Sequence, residues 1–156
     1  MHKTTKTFNI RNSAVKDIST CTINSLGYQL YLGMNLEPDV VILDGTKVLQ
    51  KNEDYTLKYQ NKLNVGMATV IITGVGNYTG TVKTNFIIAP MTISTAVVQD
   101  IPDQLYTGKE IAPELFISFG AIRLLENTDY AVEYDNNIDI GTATVTITGK
   151  GNYTGT

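Results

Sequence analysis

Residues 52–81 read NEDYTLKYQNKLNVGMATVIITGVGNYTGT, and residues 127–156 read NTDYAVEYDNNIDIGTATVTITGKGNYTGT. The two stretches match at an offset of 75 residues. A fixed period of this kind marks a repeated structural unit. The same offset aligns Gln29-Leu30-Tyr31 with Gln104-Leu105-Tyr106, Gly33 with Gly108, Leu36 with Ile111, and Pro38 with Pro113. Tyr31, Tyr55, Tyr59 and Tyr78 pair with Tyr106, Tyr130, Tyr134 and Tyr153, leaving Tyr28 as the one unmatched tyrosine. Toward the amino terminus the offset is slightly larger. Lys6-Thr7 matches Lys83-Thr84, and Phe8-Asn9-Ile10 matches Phe86-Ile87-Ile88.

The period inside each copy is two. Ala143, Val145 and Ile147 alternate with threonines, and Ala68, Val70 and Ile72 do the same in the first copy. Such alternation predicts strands with one face in a core and one in water. Tyr55, Leu57 and Tyr59, with Tyr130, Val132 and Tyr134, predict a preceding strand. Gln60 to Gly66 and Asp135 to Gly141 then read as hairpin loops. Further strands are expected at Val40 to Leu43, Leu115 to Phe119, Ile18 to Ile23, Ala96 to Ile101 and Val82 to Ile88. No window carries a helical stripe. The pattern predicts an all-β chain of two tandem immunoglobulin-like β-sandwich modules with no substantial helix. Residues 1–10 form an arm, residues 11–89 the first module and residues 90–156 the second. The second module lacks a closing strand of its own, so strand exchange with another copy through residues 4–10 is expected.

Bulk properties narrow the function. The net charge is −3, with no Lys/Arg run, which argues against nucleic acid as a partner. No apolar stretch approaches the ~20 residues that a membrane-spanning helix needs. Met1-His2-Lys3 reads as a leader on a piece of a longer protein. The single cysteine, Cys21, excludes an internal disulfide and reads as a small hydrophobe.

Several strings invite a chemical reading. GVGNYTG (74–80) and GKGNYTG (149–155) are glycine-rich, but β-type residues follow them rather than the helix a phosphate loop needs. Gly76, Asn77, Gly151 and Asn152 therefore read as turn residues, with Tyr78 and Tyr153 packed back and bonded to backbone. Both turns also spell glycosylation sequons. Asp54 and Asp129, with Asn52 and Asn127, read as turn caps. Asp135, Asn136, Asn137 and Asp139 offer oxygens suited to calcium, but Gln60, Asn61, Lys62 and Asn64 replace them in the first copy. Lys6, Lys83, Asn61 and Asn136 are the residues an internal Lys–Asn amide crosslink would use. His2 is the only histidine, so no histidine-based site exists in the repeats. The reading is of a non-enzyme with no catalytic, cofactor or metal residue. The repeat motif is carried by Tyr55, Tyr59, Gly66, Gly76, Asn77 and Tyr78, with Tyr130, Tyr134, Gly141, Gly151, Asn152 and Tyr153. Tyr28, Phe119 and Ile122 are candidate ligand contacts, because the copies differ there.

The string from Asn52 to Thr81, its copy, and YTGKEIAP at 106–113 resemble repeats in large surface proteins of Gram-positive bacteria. In those proteins immunoglobulin-like repeats stand in tandem between a secretion signal and a wall anchor. The resemblance implies an extracellular spacer module at the bacterial surface, possible adhesin use, and neighbouring repeats as partners. A host-glycan or matrix-protein binder, or an accessory domain of a secreted glycan-active enzyme, are the alternatives it leaves open.

Overall fold

A computed structural model describes residues 6–7 and 14–156. The remainder of the expected exchange segment lies outside the described residues, while Lys6 and Thr7 are exposed. The chain is all-β with several small sheets, and its only helical pieces among the described residues are two single 3-10 turns. It divides into two compact units. The first takes the described residues up to 26, Glu37–Gln60 and Ala68–Phe86; the second takes Gly27–Leu36, Asn61–Met67 and Ile87–Thr156.

The strands in chain order are β1 (Lys16–Asp17), β2 (Thr22–Ile23), β3 (Tyr28–Leu30), β4 (Ile42–Asp44), β5 (Lys47–Val48), β6 (Tyr55–Gln60), β7 (Gly66–Gly74), β8 (Tyr78–Thr79) and β9 (Thr81–Ala89). They continue with β10 (Met91–Thr92), β11 (Val97–Val98), β12 (Ile117–Phe119), β13 (Ile122–Arg123), β14 (Tyr130–Asp135), β15 (Thr144–Gly149) and β16 (Tyr153–Thr154). In the first unit β1 pairs in parallel with β8, and β2, β4 and β5 form an antiparallel sheet. A larger sheet has the order β3-β9-β7-β6. β6 and β7 are its antiparallel hairpin, in register from Tyr55↔Gly74 to Gln60↔Thr69. β9 ends in the second unit, where Ile87, Ile88 and Ala89 pair in parallel with Tyr28, Gln29 and Leu30.

The second unit repeats much of this. β10 pairs in parallel with β16, and β11, β12 and β13 form the antiparallel sheet. β14 and β15 form the hairpin, from Tyr130↔Gly149 to Asp135↔Thr144. Among the described residues β15 has no second neighbour.

The cores follow the same offset. Ile93, Leu115, Ile117, Leu124, Tyr130 and Tyr153 are the buried cluster of the second unit. Their counterparts Ile18, Val40, Ile42, Leu49, Tyr55 and Tyr78 are all buried in the first. Ala68, Val70 and Ile72 are 0% exposed, as the alternation of β7 predicts. Ala143, expected to point inward, is instead exposed, and Val145 and Ile147 are only half-buried. Alternation selects a face, but burial also needs something to lie over that face. In the first unit Phe86 of β9 supplies part of that cover and is itself 2% exposed.

The segments expected as strands from Ile18 and from Ala96 are shorter than predicted. Ile18–Thr20 and Ile93–Thr95 are 3-10 turns that insert a buried isoleucine, and the strands proper are Thr22–Ile23 and Val97–Val98. The cause is local. The Asp17 carboxylate accepts from the Ser19 N–H at 2.9 Å, and Thr20 Oγ1 donates to the Asp17 carbonyl. Short polar side chains of this kind draw backbone out of a ladder and into a turn.

Gly74 and Gly149 end β7 and β15 for a steric reason. A Cβ on Gly74 would meet the Thr79 backbone nitrogen at 2.8 Å, and one on Gly149 would meet that of Thr154 at 2.7 Å. The next turn closes against the strand end through Gly74 N–H to Gly80 O and Gly149 N–H to Gly155 O. Gly74→Ala and Gly149→Ala are each expected to cost about 1–3 kcal/mol in chemical denaturation. The exposed strand substitution Thr56→Ala is expected to stay within about 0.5 kcal/mol.

Candidate functional site

Most residues marked by the repeat make turn and cap bonds within their own unit. The Asp54 carboxylate accepts from the Gln50 N–H at 3.0 Å, and Asp129 accepts from the Leu125 N–H at 2.9 Å. The Asp54 carbonyl accepts from Val75 N–H, and the Asp129 carbonyl from Lys150 N–H. Asn52 and Asn127 sit at φ 70° and 67°, and each donates its N–H to the tyrosine carbonyl three residues on. Asparagine tolerates this left-handed region because its short amide bonds locally. Tyr59 donates its hydroxyl to the Pro38 carbonyl at 2.7 Å, and Tyr134 donates to Pro113 at 2.6 Å. Tyr55 donates to the Val40 carbonyl. Gly66, Gly76, Gly141 and Gly151 all lie at positive φ, which glycine adopts without a Cβ penalty.

The two GNYTG turns are alike in backbone and different in what meets their tyrosines. The Tyr78 hydroxyl donates to the Asp44 carboxylate at 3.0 Å, not to backbone as expected. Lys16 forms an ion pair with the same carboxylate. Lys47 lies 5.3 Å from the centre of the Tyr78 ring and 3.3 Å from Asp54. In the second unit the positions of Asp44, Lys16 and Lys47 are Phe119, Met91 and Ile122. Tyr153 accordingly stacks on Phe119, with centroids 5.5 Å apart and 4° between planes, and meets Tyr31 edge-on at 5.6 Å. Burial, with Tyr31 beside it, pushes the Tyr153 hydroxyl up to about 12. One turn is thus anchored by charge and the other by aromatic packing.

The expected ligand contacts fall in two groups. Phe119 is half-buried on Tyr153, and Ile122 is 42% exposed with its Cδ1 2.7 Å from where a Cβ on Gly33 would stand. Tyr28 is 79% exposed on β3. The oxygens considered for calcium are partly committed elsewhere. Asn137 donates its amide to the Ile111 carbonyl and accepts Ile111 N–H on its own carbonyl. Asn136 is exposed at φ 57°. The described residues contain no cluster of three acidic, cysteine or histidine side chains. Lys83, Asn61 and Asn136 are exposed, so the burial an amide crosslink requires is not provided at these residues. No helix among the described residues is long and apolar enough to cross a membrane.

The second unit has an open groove of 760 Å³ between residues 101–106 and the segment 136–145. Leu105 is 89% exposed on one wall and Ile140 87% on the other. Both residues resemble their counterparts in type, so sequence comparison alone did not distinguish them. No protein-family model, curated protein or solved structure matches the chain.

The Asp44 anchor has a pH signature. The hydrogen bond from Lys16, then that from Tyr78, holds the Asp44 carboxyl below its ordinary 3.8. A carboxyl depressed by folding stabilises above its ordinary value, and that stabilisation is lost as pH falls through the folded value. Asp44→Asn is therefore expected to lower the melting temperature at pH 7 and to flatten its fall below about pH 4. A thermal-melt series from pH 7 to pH 2 on both proteins checks this.

Proposed function

We propose that this chain is a non-catalytic spacer from an extracellular bacterial surface protein. It consists of two immunoglobulin-like modules, residues 11–89 and 90–156, with neighbouring repeats of the parent protein as natural partners. The observation that carries the reading is the use to which the matched residues are put. Asp54 and Asp129, and Tyr59 and Tyr134, spend their side-chain polar groups on backbone, and each GNYTG turn closes on its own strand end. A repeat selected for a shared ligand would instead keep polar or aromatic side chains free at matched exposed positions. The resemblance to surface-protein repeats supports the same reading.

A binding module for a host glycan or matrix protein is the second reading. It is favoured by Tyr28, a large aromatic 79% exposed and unmatched in the other copy. The two readings separate in one experiment. The chain is applied to arrays of glycans and extracellular-matrix proteins, once with calcium and once with chelator. The spacer reading expects no saturable binding in either condition. Saturable binding that Tyr28→Ala abolishes would replace it with the adhesin reading.

A further inference from the structure

Residues 27–36 and 61–67 belong to the first copy by sequence, yet both lie in the compact unit that holds the second core. They meet that core at three places. Tyr31 packs against the buried cluster and stands edge-on to Tyr153. Its N–H donates to the Ala89 carbonyl at 2.9 Å, which fixes the segment beside β9. Two residues on, Gly33 comes so close to Ile122 that a Cβ there would stand 2.7 Å from Cδ1. Asn152, in the GNYTG turn, accepts from the Val65 N–H at 2.8 Å and donates its amide to Asn64 at 3.2 Å.

The same face of the first copy carries different chemistry. Asn77 and Tyr78 match Asn152 and Tyr153, so the turn and its amide do not distinguish the copies. The segment does not distinguish them either, because Tyr31-Leu32-Gly33 matches Tyr106-Thr107-Gly108. The surroundings of the turn tyrosine do. Phe119, Ile122 and Met91 stand where the first copy has Asp44, Lys47 and Lys16. Phe119 stacks on Tyr153, and Met91 packs against the same cluster. In the first unit Lys16 pairs with Asp44, Tyr78 donates to Asp44, and Lys47 lies 5.3 Å from the centre of the Tyr78 ring. A tyrosine seated on the apolar set displaces water from apolar surface. Seated on the charged set, it would strip water from three ionised groups and offer one hydroxyl in return.

We propose that Phe119 and Ile122 determine which neighbour a repeat accepts. A repeat with this apolar pair seats the Tyr-x-Gly segment of the repeat before it, and a repeat with the Asp44 and Lys47 pair rejects that segment. Discrimination of this kind needs a repulsive element as well as an attractive one, and the charged pair supplies it. The inference deepens the spacer reading and rests on it for the nature of the neighbour. It also accounts for the difference between the copies at positions 119 and 122, which is a joint between repeats and not a ligand contact.

The test uses nuclear magnetic resonance on the full chain, with two readouts of the joint. One is the set of ring-to-ring Overhauser contacts between Tyr31 and Tyr153, and the other is the exchange rate of the Val65 amide. Protection of the β14 and β15 amides reports that the second unit remains folded. Phe119→Asp with Ile122→Lys, which installs the charged pair, is expected to abolish the ring contacts and to speed Val65 exchange roughly tenfold or more. Phe119→Leu with Ile122→Val, which keeps the pair apolar, is expected to preserve both. Ile122→Lys alone, at a position 42% exposed, decides the matter if the charged double substitution unfolds the hairpin. It is expected to speed Val65 exchange with the hairpin amides still protected. A folded charged variant that keeps the ring contacts and slow Val65 exchange overturns the proposal. Loss of both in the apolar variant overturns it too, since apolar character would then not be what admits the segment. Saturable binding of the chain to a glycan or matrix protein would overturn the spacer reading and leave these readouts unmoved.

Discussion

The coverage of β7 by β9 is the constraint on which the first unit depends. β7 places Ala68, Val70 and Ile72 on one face, and those residues reach full burial. Burying a valine or isoleucine side chain contributes about 1.5–3 kcal/mol. That contribution exists only where a neighbour excludes water. β9 supplies the neighbour, with Phe86 buried along it. The second unit has an equivalent hairpin and no equivalent cover, and its half-exposed Val145 and Ile147 record the difference.

Around this variable side both units keep one constant frame. An isoleucine on a 3-10 turn, an Asx cap before the hairpin and a tyrosine from the GNYTG turn recur with matching backbone bonds. The frame tolerates opposite chemistry at the turn tyrosine. Tyr78 bonds to a carboxylate that Lys16 also neutralises, whereas Tyr153 stacks on an aromatic ring. Either solution satisfies a partly buried tyrosine, because its ring needs apolar contact and its hydroxyl accepts polar or wet surroundings.

The β-class, the hairpins and most core positions were legible in the period-two pattern and the 75-residue offset. Tyr55 and Tyr130, or Val70 and Ile72, needed no structure to be placed inward. What escaped the sequence has physical causes. Ile18-Ser19-Thr20 and Ile93-Ser94-Thr95 repeat at the same offset, but their β-favouring composition masks a turn in which the Thr20 and Thr95 hydroxyls donate to the Asp17 and Thr92 carbonyls. The inward reading of Ala143 failed because alternation reports which face a residue takes and not whether that face is covered. The exposure of Leu105 and Ile140 was not legible in residue type, because both carry the apolar types of their counterparts, Leu30 and Val65.

Native-state hydrogen exchange on the dilute, monomeric chain tests the central claim most directly. A strand paired on both sides protects successive amides, while a strand paired on one side protects alternate ones. The account predicts continuous protection through Ala68–Thr73 of β7 and alternating protection through Thr144–Thr148 of β15. Continuous protection along β15 in the monomer would contradict it, because some strand would then already cover that edge.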